Sequence, residues 1–233
     1  TSLTLLNMPF EGGSTSSTEN NNGTTRDYSG LSNATVNNAI WNSTAGHDGN
    51  GAYKFTGNDS YIEINDTSLA SPYITVSAWA KSDITNYLYY GHIVNKVQTN
   101  PGTYILLVDS ITNKIGFSIR LDGDEDSFYY ASSDSAIDTA WHHYVGTYDG
   151  DKVKLYIDNV LQETIDDTDG TIDTDNSDIL RIGAHPTLTE NAFNGTIDDV
   201  MIYNYAISQE QIQALYNNRI DLIVSNETTS GET

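Results

Sequence analysis

The feature of this sequence that most constrains its fold is a rhythm of short runs in which apolar and polar residues alternate, each cut off by Asn, Asp or Gly. Tyr61-Ile62-Glu63-Ile64 follows Gly57-Asn58-Asp59, and between Ile74 and Ala80 the polar Thr75 and Ser77 interleave with Val76 and Ala78. A period of two sends alternate side chains to opposite faces of a strand. Many short strands with turn residues between them predict an all-β, antiparallel two-sheet sandwich. Tyr104–Val108 and Lys114–Ile119 flank Ile111-Thr112-Asn113 as a hairpin. A second hairpin joins Tyr144–Tyr148 to Val153–Ile157 through Asp149-Gly150, where glycine takes positive φ readily. In it Val153, Leu155 and Ile157 face one way, and Lys152, Lys154 and Tyr156 the other.

One segment reads as helix. Ser208 is a good N-cap with Gln211 three residues on, and Ile207 and Ile212 are spaced as a hydrophobic staple. Ile212, Leu215 and Tyr216 then form one apolar face, which predicts a short helix packed on the sandwich. Residues 14–25 are polar and aperiodic and read as a loop between two early strands. The expected organisation is one domain over residues 1–222 and a Thr/Ser-rich tail or linker over 223–233, which implies other domains of a larger chain.

Charge narrows the partners. The 32 acidic residues against 10 basic ones give a formal net charge of -22, which repels nucleic acid and anionic membranes. The same surplus suits calcium, and equally a high-salt habitat. The sequence has no Cys, which excludes disulfides and thiol chemistry, and no apolar run reaches the length of a membrane span. Asn-x-Ser/Thr acceptors at Asn22, Asn33, Asn42, Asn58, Asn65, Asn194 and Asn226 are compatible with a secreted, glycosylated surface.

Three blocks, in order, resemble the laminin-G-like or concanavalin A-like lectin and glucanase superfamily. They are the segment from Tyr53 through Gly57 and Asp59 to Ile64, the segment Trp141-His142-His143-Tyr144 running to Gly150, and the segment from Phe193 through Asp198 and Asp199 to Asn204. Leu155-Tyr156-Ile157-Asp158-Asn159, Ile182-Gly183 and the helix start at Ala206 fit the same pattern. The resemblance implies a jelly-roll sandwich with one concave sheet, rim loops that often bind sugars or proteins, and a structural calcium. It also implies that the calcium draws on Glu11 of the first strand, Asp27 of the Asp-x-Ser-Gly turn and the late Asp198.

Strand alternation sets Asp198 with Val200 and Ile202, and Asp199 with Ile197, Met201 and Tyr203. Whichever Asp faces inward needs compensation. A cation could supply it, with carbonyls of the turn at His47-Asp48-Gly49-Asn50-Gly51 completing the shell; backbone N–H groups or Arg26 are the alternatives. Asp166-Asp167-Thr168-Asp169-Gly170 reads instead as a solvated loop, and the acidic 122–126 as a turn. His142 and His143 are adjacent on a strand, so their rings point to opposite faces and do not converge on one ion. No pair of carboxylates is spaced on a strand for glycoside hydrolysis, and enzyme activity is not expected.

For ligand binding, the candidates are Tyr89, Tyr130 and Arg120, since sugars pack C–H faces on aromatic rings and bond their hydroxyls to polar groups. The expected function is a non-catalytic adhesion or lectin module, extracellular or at the cell surface. It would recognise a glycan or a cell-surface protein and be stabilised by calcium. The alternative is a structural module of an extracellular filament or surface layer.

Overall fold

A computed structural model describes residues 3–12, 23–30, 33–57, 59–66, 68–96, 104–121, 128–172, 174, 178–187 and 190–217. The early strands are β1 (Thr4–Met8), β2 (Gly23–Thr25), β3 (Ala34–Asn37), β4 (Ile40–Asn42), β5 (Ala52–Thr56) and β6 (Tyr61–Ile64). The middle of the chain supplies β7 (Ile74–Ser82), β8 (Gly91–Lys96), β9 (Tyr104–Val108), β10 (Lys114–Ile119) and β11 (Tyr129–Ala136). Then come β12 (Trp141–Tyr148), β13 (Val153–Ile157), β14 (Val160–Ile165), β15 (Leu180–Ile182), β16 (Asn194–Tyr203) and the helix α1 (Gln209–Tyr216).

These strands form two antiparallel sheets of eight. The first runs β14-β13-β12-β7-β16-β5-β4, with β1 also paired to β16, and the second runs β11-β10-β9-β8-β15-β6-β3-β2. The expected sandwich and both expected hairpins are present. The loop expected over 14–25 stops short, because Gly23–Thr25 pairs with β3 as an edge strand. The rest of that loop, the turn at 122–126 and the tail at 223–233 lie outside the described residues, as do the sequons at Asn22, Asn58 and Asn226.

The core lies between the inner faces. Phe55, Val76, Tyr144, Leu155 and Ile197 of the first sheet meet Ile62, Leu106, Phe117 and Ile182 of the second, all buried. The packing is close: a Cβ placed on Gly146 would stand 2.1 Å from the Phe117 ring. Part of the outer face of the first sheet is covered by α1. Ile212 and Leu215 sit on Val145, Tyr156, Met201 and Tyr203, which buries Tyr156 on the side opposite Val153 and Leu155. The capping box forms as expected, with Ser208 Oγ accepting from the Gln211 amide and Gln211 Oε1 accepting from the Ser208 amide.

The Trp141-His142-His143 segment opens β12. Asp158 and Asn159 make the tight β13–β14 turn with φ of 50° and 65°. From that turn Asp158 reaches across to β12, taking the His143 amide at 2.9 Å and His142 Nδ1 at 2.6 Å. His142 Nε2 meets Asp138 at 3.1 Å. His143 points to the other face, bonded to Ser77 Oγ at 2.8 Å, and burial pushes its pKa down to about 3. The hydrogen bond with Asp158 holds the His142 pKa above its ordinary value against partial burial. A group raised in this way adds stability that is full below its unfolded value of 6.5 and is lost as pH rises through the folded value. His142→Gln is therefore expected to lower the melting temperature more at about pH 5.5 than at about pH 8.5, by no more than about 1 kcal/mol for so exposed a pair. Thermal melts of both proteins at fixed ionic strength check this; a gap that widens with rising pH contradicts it.

Candidate functional site

Cross-strand register assembles one row of residues across the outward face of the second sheet. Thr24, Thr35, Glu63, Arg181 and Asn95 are successive partners from β2 to β8. Ile105, Ser118 and Tyr130 continue the row to β11. Registered partners share a face, so this is a predominantly polar stripe running the width of the sheet. At one end Thr24 and Thr35 are exposed. In the middle Glu63 holds Arg181 through its Nε at 2.8 Å and its Nη2 at 2.7 Å, and the guanidinium lies 3.8 Å from the Tyr61 ring centre.

Toward β11 the same face sinks into a cleft of 320 Å³. Ile105 and Leu107 form its apolar floor, His92, His185, Asp109 and Asn191 offer polar groups, and Tyr90, Phe128 and Tyr130 supply rings. Ile105, Leu107 and His92 are buried although they sit on an outward face. Burial favours the neutral imidazole at both, lowering His92 to about 3 and, with the Arg181 charge adding to the effect, His185 below its usual range. Neutral imidazole both donates and accepts hydrogen bonds.

Along this edge three buried polar atoms have no hydrogen-bond partner among the described residues: Ser118 Oγ, Tyr130 OH and Arg120 Nη1. Buried polar atoms are nearly always bonded, so three without a partner at one edge depart from the usual pattern. Burial pushes the Tyr130 hydroxyl well above the usual phenol range, so it stays a donor. Its ring lies across Gly116, where a Cβ would come within 2.1 Å of it. Of the residues expected to touch ligand, Tyr130 lines the cleft and Arg120 stands beside it, 5.9 Å from the centre of Phe128. Tyr89 lies elsewhere, in a second hollow of 420 Å³ with Asn86, Glu190 and Asn194. The sequence reading missed His92, Asp109, His185 and Asn191, which sit on three separate segments and carry no motif.

A second cluster gathers acidic groups on the outer face of the first sheet. Asp198 is fully buried; its Oδ2 takes the His47 amide at 3.1 Å and His47 Nδ1 at 3.0 Å, while its Oδ1 takes the Asp199 amide at 2.9 Å. His47 stacks on Trp79 with centroids 4.0 Å apart and also lies 3.7 Å from Asp199 Oδ2. A Cβ on Gly46 would stand 2.6 Å from Asp198 Oδ2, 3.0 Å from the Asn50 carbonyl and 3.1 Å from Asp48 Oδ1, so two oxygens of the 47–51 turn and one from β16 lie close to one point. Burial and then the Asp198 charge push Asp199 up to about 7. Partial burial, with Asp48 and Asp198 nearby, raises Glu11 despite its bond from the Gly51 amide at 3.3 Å.

Glu11 and Asp198 thus share a neighbourhood, and the bonds that Asp27 makes lie elsewhere. Asp27 instead accepts from the Asn7 amide at 2.9 Å and from the amide and hydroxyl of Ser29 at 2.8 and 2.5 Å, sealing the open side of β1. Simple alternation also misplaced Asp198. A bulge lies between Asp198 and Met201, with Asp199 at φ 45°. The extra residue keeps Asp198 on the face of Trp79 and Met201, while Ile197, Val200 and Ile202 all face the core.

Residues 56–213 match the family described as the concanavalin A-like lectin/glucanases superfamily. Among solved structures, this chain is similar to domain 4 of AbnA, a GH43 extracellular arabinanase from Geobacillus stearothermophilus, in complex with arabinotriose. The two are 18% identical over 91% of this chain and 98% of that one, with a TM-score of 0.69. The botulinum neurotoxin serotype D ligand binding domain in complex with N-acetylneuraminic acid is 19% identical over 94% of this chain and 51% of that one, TM-score 0.68. The binding domain of botulinum neurotoxin DC in complex with rat synaptotagmin II is 15% identical over 93% and 52%, TM-score 0.62. The chain spans about half the length of these toxin domains. At such identities the likeness is one of fold. A search of curated proteins finds no match.

An unpartnered buried hydroxyl costs desolvation and returns nothing to the fold. Tyr130→Phe and Ser118→Ala are accordingly expected to leave the melting temperature unchanged or raise it slightly. A loss above about 1 kcal/mol in either variant would mean that the hydroxyl is bonded within the fold after all.

Proposed function

This chain belongs to the concanavalin A-like lectin/glucanase superfamily, and from that premise we propose that it is a non-catalytic glycan-binding module, extracellular or at the cell surface, whose sugar lies in the cleft on the second sheet. The observation that carries this is the pairing of unspent buried donors, at Tyr130, Ser118 and Arg120, with aromatic walls at Phe128 and Tyr90. A sugar presents the matching surface, with C–H faces for rings and hydroxyls for orphaned polar atoms. The complexes of similar folds with arabinotriose and N-acetylneuraminic acid support the reading. Among the described residues Asp109 is the one carboxylate lining the cleft, and its Oδ1 is already occupied by Ile111 and Thr112. Hydrolysis of a glycosidic bond ordinarily uses two carboxylates, so this favours binding over cleavage.

Binding to a glycan array tests the proposal. Tyr130→Ala and Arg120→Ala are each expected to weaken the best ligand by about tenfold or more, equivalent to about 1.4 kcal/mol. An array on which the protein binds nothing, or on which both variants bind as well as wild type, contradicts it.

A structural calcium is the second part of the proposal. Asp198, Asp48 and the Asn50 carbonyl supply the hard oxygens calcium prefers, with Glu11 adjacent, while His47 steadies Asp198 and is not itself an oxygen donor. Calcium at a hundredfold excess over its dissociation constant would add about 2.7 kcal/mol. Chelation at matched ionic strength should lower the melting temperature, Asp198→Asn should abolish most of that response, and Asp169→Asn should leave it intact. An unchanged melting temperature on chelation removes calcium from the proposal.

A further inference from the structure

The cleft has a neighbour. Tyr90 and Asn191 line the cleft, and the residues directly before them, Tyr89 and Glu190, line the second hollow. Consecutive residues from two different segments therefore line one space and then the other, so the two hollows lie side by side. The second hollow is the more polar: Asn86, Asn194, Glu190 and Thr56 offer amide, carboxylate and hydroxyl groups beside the Tyr89 ring. Each volume, 320 and 420 Å³, lies near the lower end of the range of about 300–1,000 Å³ for small-ligand sites. Either alone suits a small unit, and together they make an elongated site.

The divide is apolar at its crest and rigid at its base. Leu88, Tyr89 and Tyr90 are 83%, 55% and 38% exposed in succession. Tyr87, just before them, is buried and pins the loop. Its hydroxyl meets Ser82 Oγ at 2.9 Å and the Asn194 carbonyl at 3.2 Å, and its amide donates to Asn113 Oδ1 at 2.6 Å. Gly91 closes the loop directly over the Tyr87 ring, where a Cβ would lie 2.5 Å from it. A ridge of exposed rings held from beneath is preorganised, so a ligand that stacks on it pays little ordering cost.

We infer that the ligand is a linear oligosaccharide that occupies both hollows and crosses the ridge at Tyr89 and Tyr90, and not a single terminal sugar. The inference rests on the glycan-binding reading and extends it from one cleft to a chain of subsites. Rings along the crest suit the repeating C–H faces of successive sugar units, and the polar groups of the second hollow suit the hydroxyls of a further unit.

The test uses protein free of N-linked sugar, because Asn194 both lines the second hollow and heads an Asn-Gly-Thr acceptor. The intact protein and its Tyr89→Ala, Glu190→Gln and Tyr130→Ala variants are titrated with arabino-, xylo-, gluco-, manno- and chito-oligosaccharides from monosaccharide to hexasaccharide. In one series affinity should rise roughly tenfold from disaccharide to tetrasaccharide. Tyr89→Ala should return the tetrasaccharide to the disaccharide level and leave the disaccharide unchanged, whereas Tyr130→Ala should weaken every length. Melting curves establish that each variant is folded. If the monosaccharide binds as tightly as the hexasaccharide and Tyr89→Ala changes nothing, the extended site is wrong while the glycan cleft stands. If no series binds and a polypeptide partner does, both readings fall.

Discussion

Strand β16 must satisfy three surroundings at once, and much of the molecule is arranged around that requirement. On one side it pairs with β7 along nearly its whole length; on the other it pairs first with β5 and then with β1. Its inner face gives Ile197, Val200 and Ile202 to the core, and its outer face gives Met201 and Tyr203 to the layer under α1. A regular strand with ten residues in this position would carry Asp198 into the core with Val200 and Ile202. The bulge at Asp199 removes that conflict, and in doing so it sets Asp198 against His47 and Trp79, away from the apolar interior.

The parts of the fold that were legible in the sequence are those decided locally. Asp149-Gly150 fixes a turn, Ser208 and Gln211 fix a helix start, and alternation over Val153–Ile157 fixes a face, because each needs only its immediate neighbours. The bulge is not of this kind. Nothing in Ile197-Asp198-Asp199-Val200 distinguishes an uninterrupted strand from one that takes in an extra residue, since the choice is made by what covers each face. The cleft is still less local. His92, Asp109 and His185 meet only because β8, β9 and β15 are neighbours in one sheet, although they are scattered along the chain. Tyr130 was within reach because aromatic residues on a strand are conspicuous, and Tyr89 was assigned to ligand without any sign that it belongs to a different hollow. His47 and Asp48 were visible only as a turn, and Asp27 as an acid whose backbone partners could not be foreseen.

Two arginines at the second sheet, Arg181 and Arg120, are held differently. In a chain with 32 acidic and 10 basic residues, a guanidinium has carboxylates in abundance to choose from. Arg181 takes one, Glu63, and is spent. Arg120, on the same sheet, keeps Nη1 without a partner among the described residues. In so acidic a protein, one guanidinium N–H without a partner among the described residues is a donor suited to a neutral hydroxyl.

Gly116 bears on the shape of that edge in a way its own chemistry would not suggest. The Tyr130 ring occupies the space where a side chain would begin. Any β-carbon there would lift the ring off the sheet and into the cleft, so the depth of the cleft is set by a missing atom. A residue that never touches a ligand thereby governs how much of one can be admitted, and variation at position 116 is a route by which this scaffold could change the girth of what it holds while every contacting side chain stays the same.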